Sequence, residues 1–200
     1  LLTEANLKLI IDSFEARLKM SSMTFDQIFG PAYKGTIFGS MLGMKLSESG
    51  KNLSLCFNRK EIKNHGEGGE FIGDLPKGNV LIVDDVLSAG TAAKEAIELI
   101  KKYNANPVGL LIGLDRQEKG SLKLSARAEL KKEFGVEVFS VINLLAAANI
   151  NFFLSGFIFS KILAIIDNLG FFRKNLLFLS MNLQYNPSII LQYNGWIILE

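Results

Sequence analysis

The sequence predicts an α/β protein built on a doubly wound, mainly parallel sheet with a flexible lid loop, and three observations carry that prediction. Short apolar runs rich in β-branched residues alternate along the chain with segments of helical periodicity. The strand candidates are apolar on both faces, as strands covered by helices on either side must be. The connections are short, so successive parallel strands are reached by right-handed crossovers. At 200 residues the chain has length for a domain with a sizeable core.

The elements follow in order. A helix spans Glu4 to Lys19, and a short strand, Gln27 to Phe29, runs into Gly30-Pro31. That dipeptide forces a turn which presents Tyr33 and Lys34. A helix from Thr36 to Glu48 and a strand from Leu53 to Phe57 come next. Arg59 to Gly69 carries Arg59, Lys60, Lys63 and His65 followed by Gly66, Gly68 and Gly69. Cations beside glycines that permit backbone rearrangement make a lid. The run Val80 to Val83 reads as a central strand leading into Asp84 and Asp85. The stretch Ser88 to Thr91 then opens a helix reaching Tyr103, with Ser, Gly and Thr as its caps. A strand from Val108 to Leu114 delivers Asp115-Arg116, a helix covers Ser125 to Phe134, and a last strand spans Val136 to Ile142.

The segment Val80 to Thr91 carries the chemistry. A small-residue loop at a helix N-terminus offers backbone N–H groups, hydroxyls and the positive dipole end, and Gly90 lets the backbone approach closely; a phosphate fits there. Asp84 and Asp85, read at the carboxyl end of the strand, are placed to accept hydrogen bonds from vicinal ribose hydroxyls or to hold water around Mg²⁺. Together they suggest a phosphorylated sugar. An Asp-Asp pair after an apolar strand also occurs in response-regulator receiver domains, but near the start of the domain, and the pair alone is open to a helix-capping role. The string G-x-x-x-x-G-K-[ST] of a P-loop does not occur. Arg116 emerges at the same carboxyl edge, where ligands of open parallel sheets bind, and its guanidinium can grip a carboxylate through two parallel N–H bonds.

Val80 to Ala93 resembles the phosphoribosyl-pyrophosphate (PRPP) signature of the type I phosphoribosyltransferases. Phe29 to Gly35, Cys56 to Gly69 and Leu114 to Glu118 are similar to the orotate-specific branch of that family, in the family's order. The resemblance covers roughly residues 1 to 142 and implies the type I phosphoribosyltransferase fold, with transfer of the phosphoribosyl group from PRPP to orotate in pyrimidine (UMP) biosynthesis. It assigns PRPP to Tyr33, Lys34, Arg59, Lys60, Lys63, His65, Asp84, Asp85, Val86, Leu87, Ser88, Ala89, Gly90, Thr91 and Ala92. Lys63, His65, Asp84 and Asp85 are the implied catalytic set. Orotate falls to Ser88 and Arg116, since orotate has a carboxylate where uracil has none. It further implies Mg²⁺ carried by PRPP without a direct protein ligand, and a cytoplasmic homodimer whose lid acts in the neighbouring subunit. A PRPP-binding regulator on the same fold and an inactive fragment are the alternatives; a purine salvage enzyme fits Arg116 and the lid string less well.

Composition bounds the rest. The net charge of +2 and pI near 8.6 are too mild to imply a nucleic-acid partner. The single cysteine, Cys56, sits in an apolar strand, excludes an internal disulfide and suits a buried thiol in a reducing compartment. The chain begins in what resembles the helix before the first core strand. By the resemblance, the hood segment that supplies a lysine for PRPP and an aromatic pair for orotate is therefore expected to be missing. Near Asn143 the composition breaks: to Glu200 only Lys161, Asp167, Arg173, Lys174 and Glu200 are charged, among many Phe, Ile, Leu and Asn. Residues 143–200 are expected to form an atypical apolar tail, unselected sequence past a frameshift or disordered. A membrane anchor is the other reading, weakened by the asparagines and by Lys161 and Asp167.

Overall fold

The computed structural model describes residues 3–63, 69–120 and 124–143. The chain divides into two units, and Leu7–Ile150 holds the sheet. Of the other, Leu1–Asn6 with Asn151–Glu200, only the start of the first helix, 3–6, is described. The expected tail and its possible membrane anchor therefore lie outside the described residues. Among those residues no helix is long and apolar enough to cross a membrane.

Ten elements follow one another: α1 (Glu4–Lys19), β1 (Gln27–Gly30), α2 (Lys34–Ser47), β2 (Ser54–Lys63), β3 (Gly69–Gly73), β4 (Asn79–Leu87), α3 (Thr91–Lys102), β5 (Asn106–Asp115), α4 (Ala126–Phe134) and β6 (Glu137–Asn143). The six strands form one sheet in the order β3-β2-β1-β4-β5-β6. All neighbours are parallel except β2 and β3. This is a doubly wound arrangement whose direction of winding reverses between β1 and β4, the position at which such sheets open a crevice for ligands.

Alternation along β4 explains the two-layer core. Val80 and Ile82 join Phe29, Leu110 and Ile112 under the apolar stripe Ala93, Ala96, Ile97 and Ile100 of α3, with Leu130 of α4 in the same cluster. The other apolar residues of the sheet, Ile28, Leu81, Val83 and Leu111, are also fully buried. Phe14 of α1 and Phe38 of α2 pack with tilted rings, centroids 6.0 Å apart, and both are buried. Cys56 is buried in β2, and burial pushes its thiol up to about 12, so it packs as an unreactive apolar residue.

Several elements differ from the sequence-based expectation. β3 is an additional strand, and β2 continues through Arg59 and Lys60 to Lys63, so both ends of the stretch expected as a lid, Arg59 to Gly69, belong to paired strands. β4 does not stop at Val83: pairing with β5 carries it onward, with Asp84 opposite Ile112 and Leu87 opposite Asp115. α2 begins two residues early, at Lys34. Of the Ser, Gly and Thr expected to cap α3, Gly90 is the N-cap, and no side chain caps the helix. α4 is capped by Ser125, which accepts a hydrogen bond from Ala128 N–H.

The start of α2 sits directly on the sheet. A Cβ on Gly35 would lie 2.6 Å from Pro31 Cδ and 2.7 Å from the Val83 carbonyl oxygen. Backbone cannot yield as a flexible side chain does, so Gly35→Ala is expected to destabilise the fold by about 2–3 kcal/mol. Urea unfolding measures this, and an unchanged midpoint would show that α2 does not approach the sheet so closely.

Candidate active site

The site is assembled at the carboxyl edge of β1, β4 and β5. Beyond Leu87, Ser88 to Gly90 turn the chain into α3, and Gly90 takes the left-handed conformation (φ 90°) that a side chain opposes. The turn and the first residues of α3 line a cavity of about 220 Å³ together with Asp84 and Leu110. Its wall contains Val86, Leu87, Ser88, Ala89, Gly90, Thr91 and Ala92, all assigned to PRPP from the sequence. The helix start without a side-chain cap, ringed by small residues, is suited to a phosphate.

Asp84 and Asp85 are adjacent on one strand and therefore point to opposite faces of it. Asp84 faces the cavity and accepts a hydrogen bond from Asp85 N–H at 2.9 Å. Burial, and then the neighbouring Asp85 carboxylate, raise Asp84 to about 7. Asp85 turns towards α2 and pairs with Lys34 at 2.6 Å. That ion pair spans the crevice between β1 and β4. Asp84 thus binds protons in the folded chain between its ordinary value near 3.8 and about 7. Its contribution to stability is complete below that window and is lost as pH rises through it.

The turn after β1 is fastened from β2. Ala32 N–H donates to Asn58 Oδ1 at 2.8 Å, and the Lys60 ammonium stands 4.7 Å from the centroid of the Tyr33 ring, a cation–π contact. Tyr33 is otherwise 70 % exposed. Tyr33 and Lys60 are thereby in contact, while Lys34 pairs with Asp85. Arg59 lies on β2. His65 and the side chain of Lys63 are outside the described residues.

Arg116 is where the sequence places it. Its N–H donates to the Leu87 carbonyl at 3.0 Å, which ties the end of β5 to the end of β4. Its guanidinium reaches Ser88 Oγ at 3.4 Å and Glu118 at 2.6 Å. The two residues assigned to the base are therefore in contact, and Glu118 holds the fork that an incoming carboxylate would take. Asn58 and Glu118 were not singled out from the sequence. Both lie inside the segments that carry the family resemblance, but only the folded contacts give them partners.

Comparisons with known proteins identify the family. The family model described as a phosphoribosyl transferase domain matches residues 1–141. The chain is similar to the orotate phosphoribosyltransferase of Marinobacter nauticus, 49% identical over 132 residues, covering 66% of this chain and 62% of that protein. Similarity to the enzyme of the same name from Chromobacterium violaceum is 47% over 127 residues, covering 64% and 59%. The chain thus spans about three fifths of the length of these relatives. Among solved structures it resembles orotate phosphoribosyltransferase from Francisella tularensis, with a TM-score of 0.66, 29% identity, and coverage of 84% of this chain and 81% of that one. The enzyme from Aeropyrum pernix, at 23% identity and a TM-score of 0.57 over 76% and 77% of the chains, shares the fold. With the model match extending over most of its length, the chain belongs to the phosphoribosyl transferase domain family.

Proposed function

We propose that this chain transfers the 5-phosphoribosyl group of PRPP to orotate, giving orotidine 5′-phosphate and pyrophosphate in pyrimidine biosynthesis. The observation that carries the reading is one edge of sheet on which the phosphate-sized cavity, the Asp84–Asp85 pair and Arg116 with Ser88 lie side by side. The 5′-phosphate takes the Ser88 to Thr91 turn, and the ribose hydroxyls are held by Asp84 and Asp85. Arg116 and Ser88 orient orotate by its carboxylate so that N1 faces C1′. The N1–C1′ bond forms as the C1′–O bond to pyrophosphate breaks, the leaving group keeps the bonding pair, and the N1 proton passes to solvent. Lys34, with Tyr33 beside it, receives the pyrophosphate.

Arg59, Lys63 and His65 act on the leaving pyrophosphate of the neighbouring subunit's site, which makes a homodimer the working unit. Among the described residues no group of three His, Cys, Asp or Glu side chains comes together. Mg²⁺ would arrive with the diphosphate, Asp84 and Asp85 would hold its waters, and it would screen the diphosphate charge. A buried, unpaired cysteine thiol and relatives named as metabolic enzymes support a cytoplasmic location.

The test is to incubate the chain with PRPP, Mg²⁺ and orotate, with uracil and hypoxanthine as controls, and to identify products by mass. Orotidine 5′-phosphate formed selectively is expected. Equal use of uracil, or nucleotide made from hypoxanthine instead, would overturn the reading.

The state of Asp84 supplies a second expectation. If the carboxylate binds the ribose, PRPP affinity should rise about ten-fold from pH 6 to pH 8 as a group of pKa about 7 ionises. Asp84→Asn should bind PRPP more weakly and lose that component of the pH dependence. The same slope in both proteins would assign it to the ligand's own phosphates.

A further inference from the structure

A buried ionic network stands behind Arg116, and neither the sequence motifs nor the proposed chemistry uses it. Asp115, the last residue of β5, has a side chain only 6 % exposed. A carboxylate in such a place is costly unless its oxygens are paired. One oxygen accepts Gln117 N–H at 2.9 Å, reaching across Arg116. The other accepts Arg127 Nε of α4 at 3.1 Å. Arg127 continues to β6, where its Nη2 donates to Ser140 Oγ at 3.1 Å. Arg127 thus links the Asp115 carboxylate at the end of β5 to β6 by way of α4.

The turn it holds is not one the chain would choose unaided. Gln117 has φ 54°, the left-handed region that side chains other than glycine disfavour. With Gln117 N–H on Asp115 and Arg116 N–H on the Leu87 carbonyl, the backbone is fixed on both sides of Arg116. From this fixed backbone the Arg116 guanidinium reaches Ser88 and Glu118.

We infer that Asp115 and Arg127 are positioning residues that aim the Arg116 guanidinium at the carboxylate of the base and so set base affinity without touching either substrate. This rests on the reading of Arg116 as the base-binding residue. Bidentate recognition depends on direction as well as charge, so a guanidinium free to swing loses one of its two parallel bonds. Phosphate binding, which relies on the turn after β4, does not depend on the network.

Asp115→Asn, Arg127→Ala and the double variant test this. Asp115→Asn retains an acceptor for Gln117 N–H but opposes an amide N–H₂ to Arg127 Nε. Each single variant is expected to raise KM for orotate about ten-fold, the effect of one lost charge-assisted hydrogen bond. KM for PRPP should stay within about two-fold, and the double variant should be no worse than the poorer single, since both break one network. Should Asp115→Asn not fold, Arg127→Ala, whose side chain is 43 % exposed, tests the same prediction. Equal increases in both KM values, or none in either, would overturn the inference and leave the network a structural tie. An unmodified chain that makes nucleotide from uracil as readily as from orotate would instead overturn the reading of Arg116 and remove the inference with it.

Discussion

Replacing Arg116 with alanine is expected to lower kcat/KM for orotate by about two to three orders of magnitude, while KM for PRPP stays within about two-fold. The magnitude follows from the chemistry of the contact. Truncating one partner of a buried, hydrogen-bonded charge pair costs about 2–5 kcal/mol, and each 1.4 kcal/mol is a factor of ten. Arg116→Lys should recover little, because an ammonium is a point charge without the planar fork. Glu118 supplies a check of opposite sign. It now pairs with the guanidinium at 2.6 Å, so an orotate carboxylate must displace it. Initial rates at saturating PRPP measure the effect; a loss shared equally between orotate and PRPP would mean that Arg116 supports the fold of the edge and not the base.

The second large effect is expected at Asp85. This carboxylate holds Lys34, 2.6 Å away across the crevice, and in the proposed reaction it also binds the ribose. Asp85→Ala removes the acceptor and releases a lysine that faces the site. PRPP affinity should fall about a hundred-fold, while Asp85→Asn, which keeps an acceptor, should lose about ten-fold. Calorimetric titration with PRPP and Mg²⁺ reads both. If Asp85→Ala bound PRPP as tightly as the parent, the aspartate would be no more than a counter-ion for Lys34.

What the sequence made legible, and what it did not, follows from the range of the interactions. The strand, carboxylate pair, small-residue turn and helix of Val80 to Lys102 are consecutive in the chain, and local pattern alone foretells their order. The end of β4 was misjudged because aspartate is a poor strand former, yet pairing with Ile112 to Asp115 extends the ladder past both carboxylates. β3 escaped notice for a related reason. It is a five-residue antiparallel edge strand bounded by Gly69 and Gly73, and its existence depends on β2 as a partner and not on its own periodicity. The contact of Asn58 with Ala32 joins residues 26 apart in sequence, and the Asp115–Arg127–Ser140 chain joins three elements. No spacing rule announces such pairs. The stretch Ser88 to Thr91 was expected to cap α3, but local pattern did not say which residue would; the fold puts Gly90 there without a side-chain cap.

All of these expectations depend on one statement about place, that PRPP binds where the winding of the sheet reverses between β1 and β4. Hydrogen–deuterium exchange of the unmodified chain with and without PRPP and Mg²⁺ tests it most directly. Slowed exchange is expected in peptides covering Leu87 to Ala93 and Ala32 to Gly35, where backbone N–H groups surround the crevice. Binding without protection in either stretch, or with protection confined to another edge of the sheet, would contradict the account.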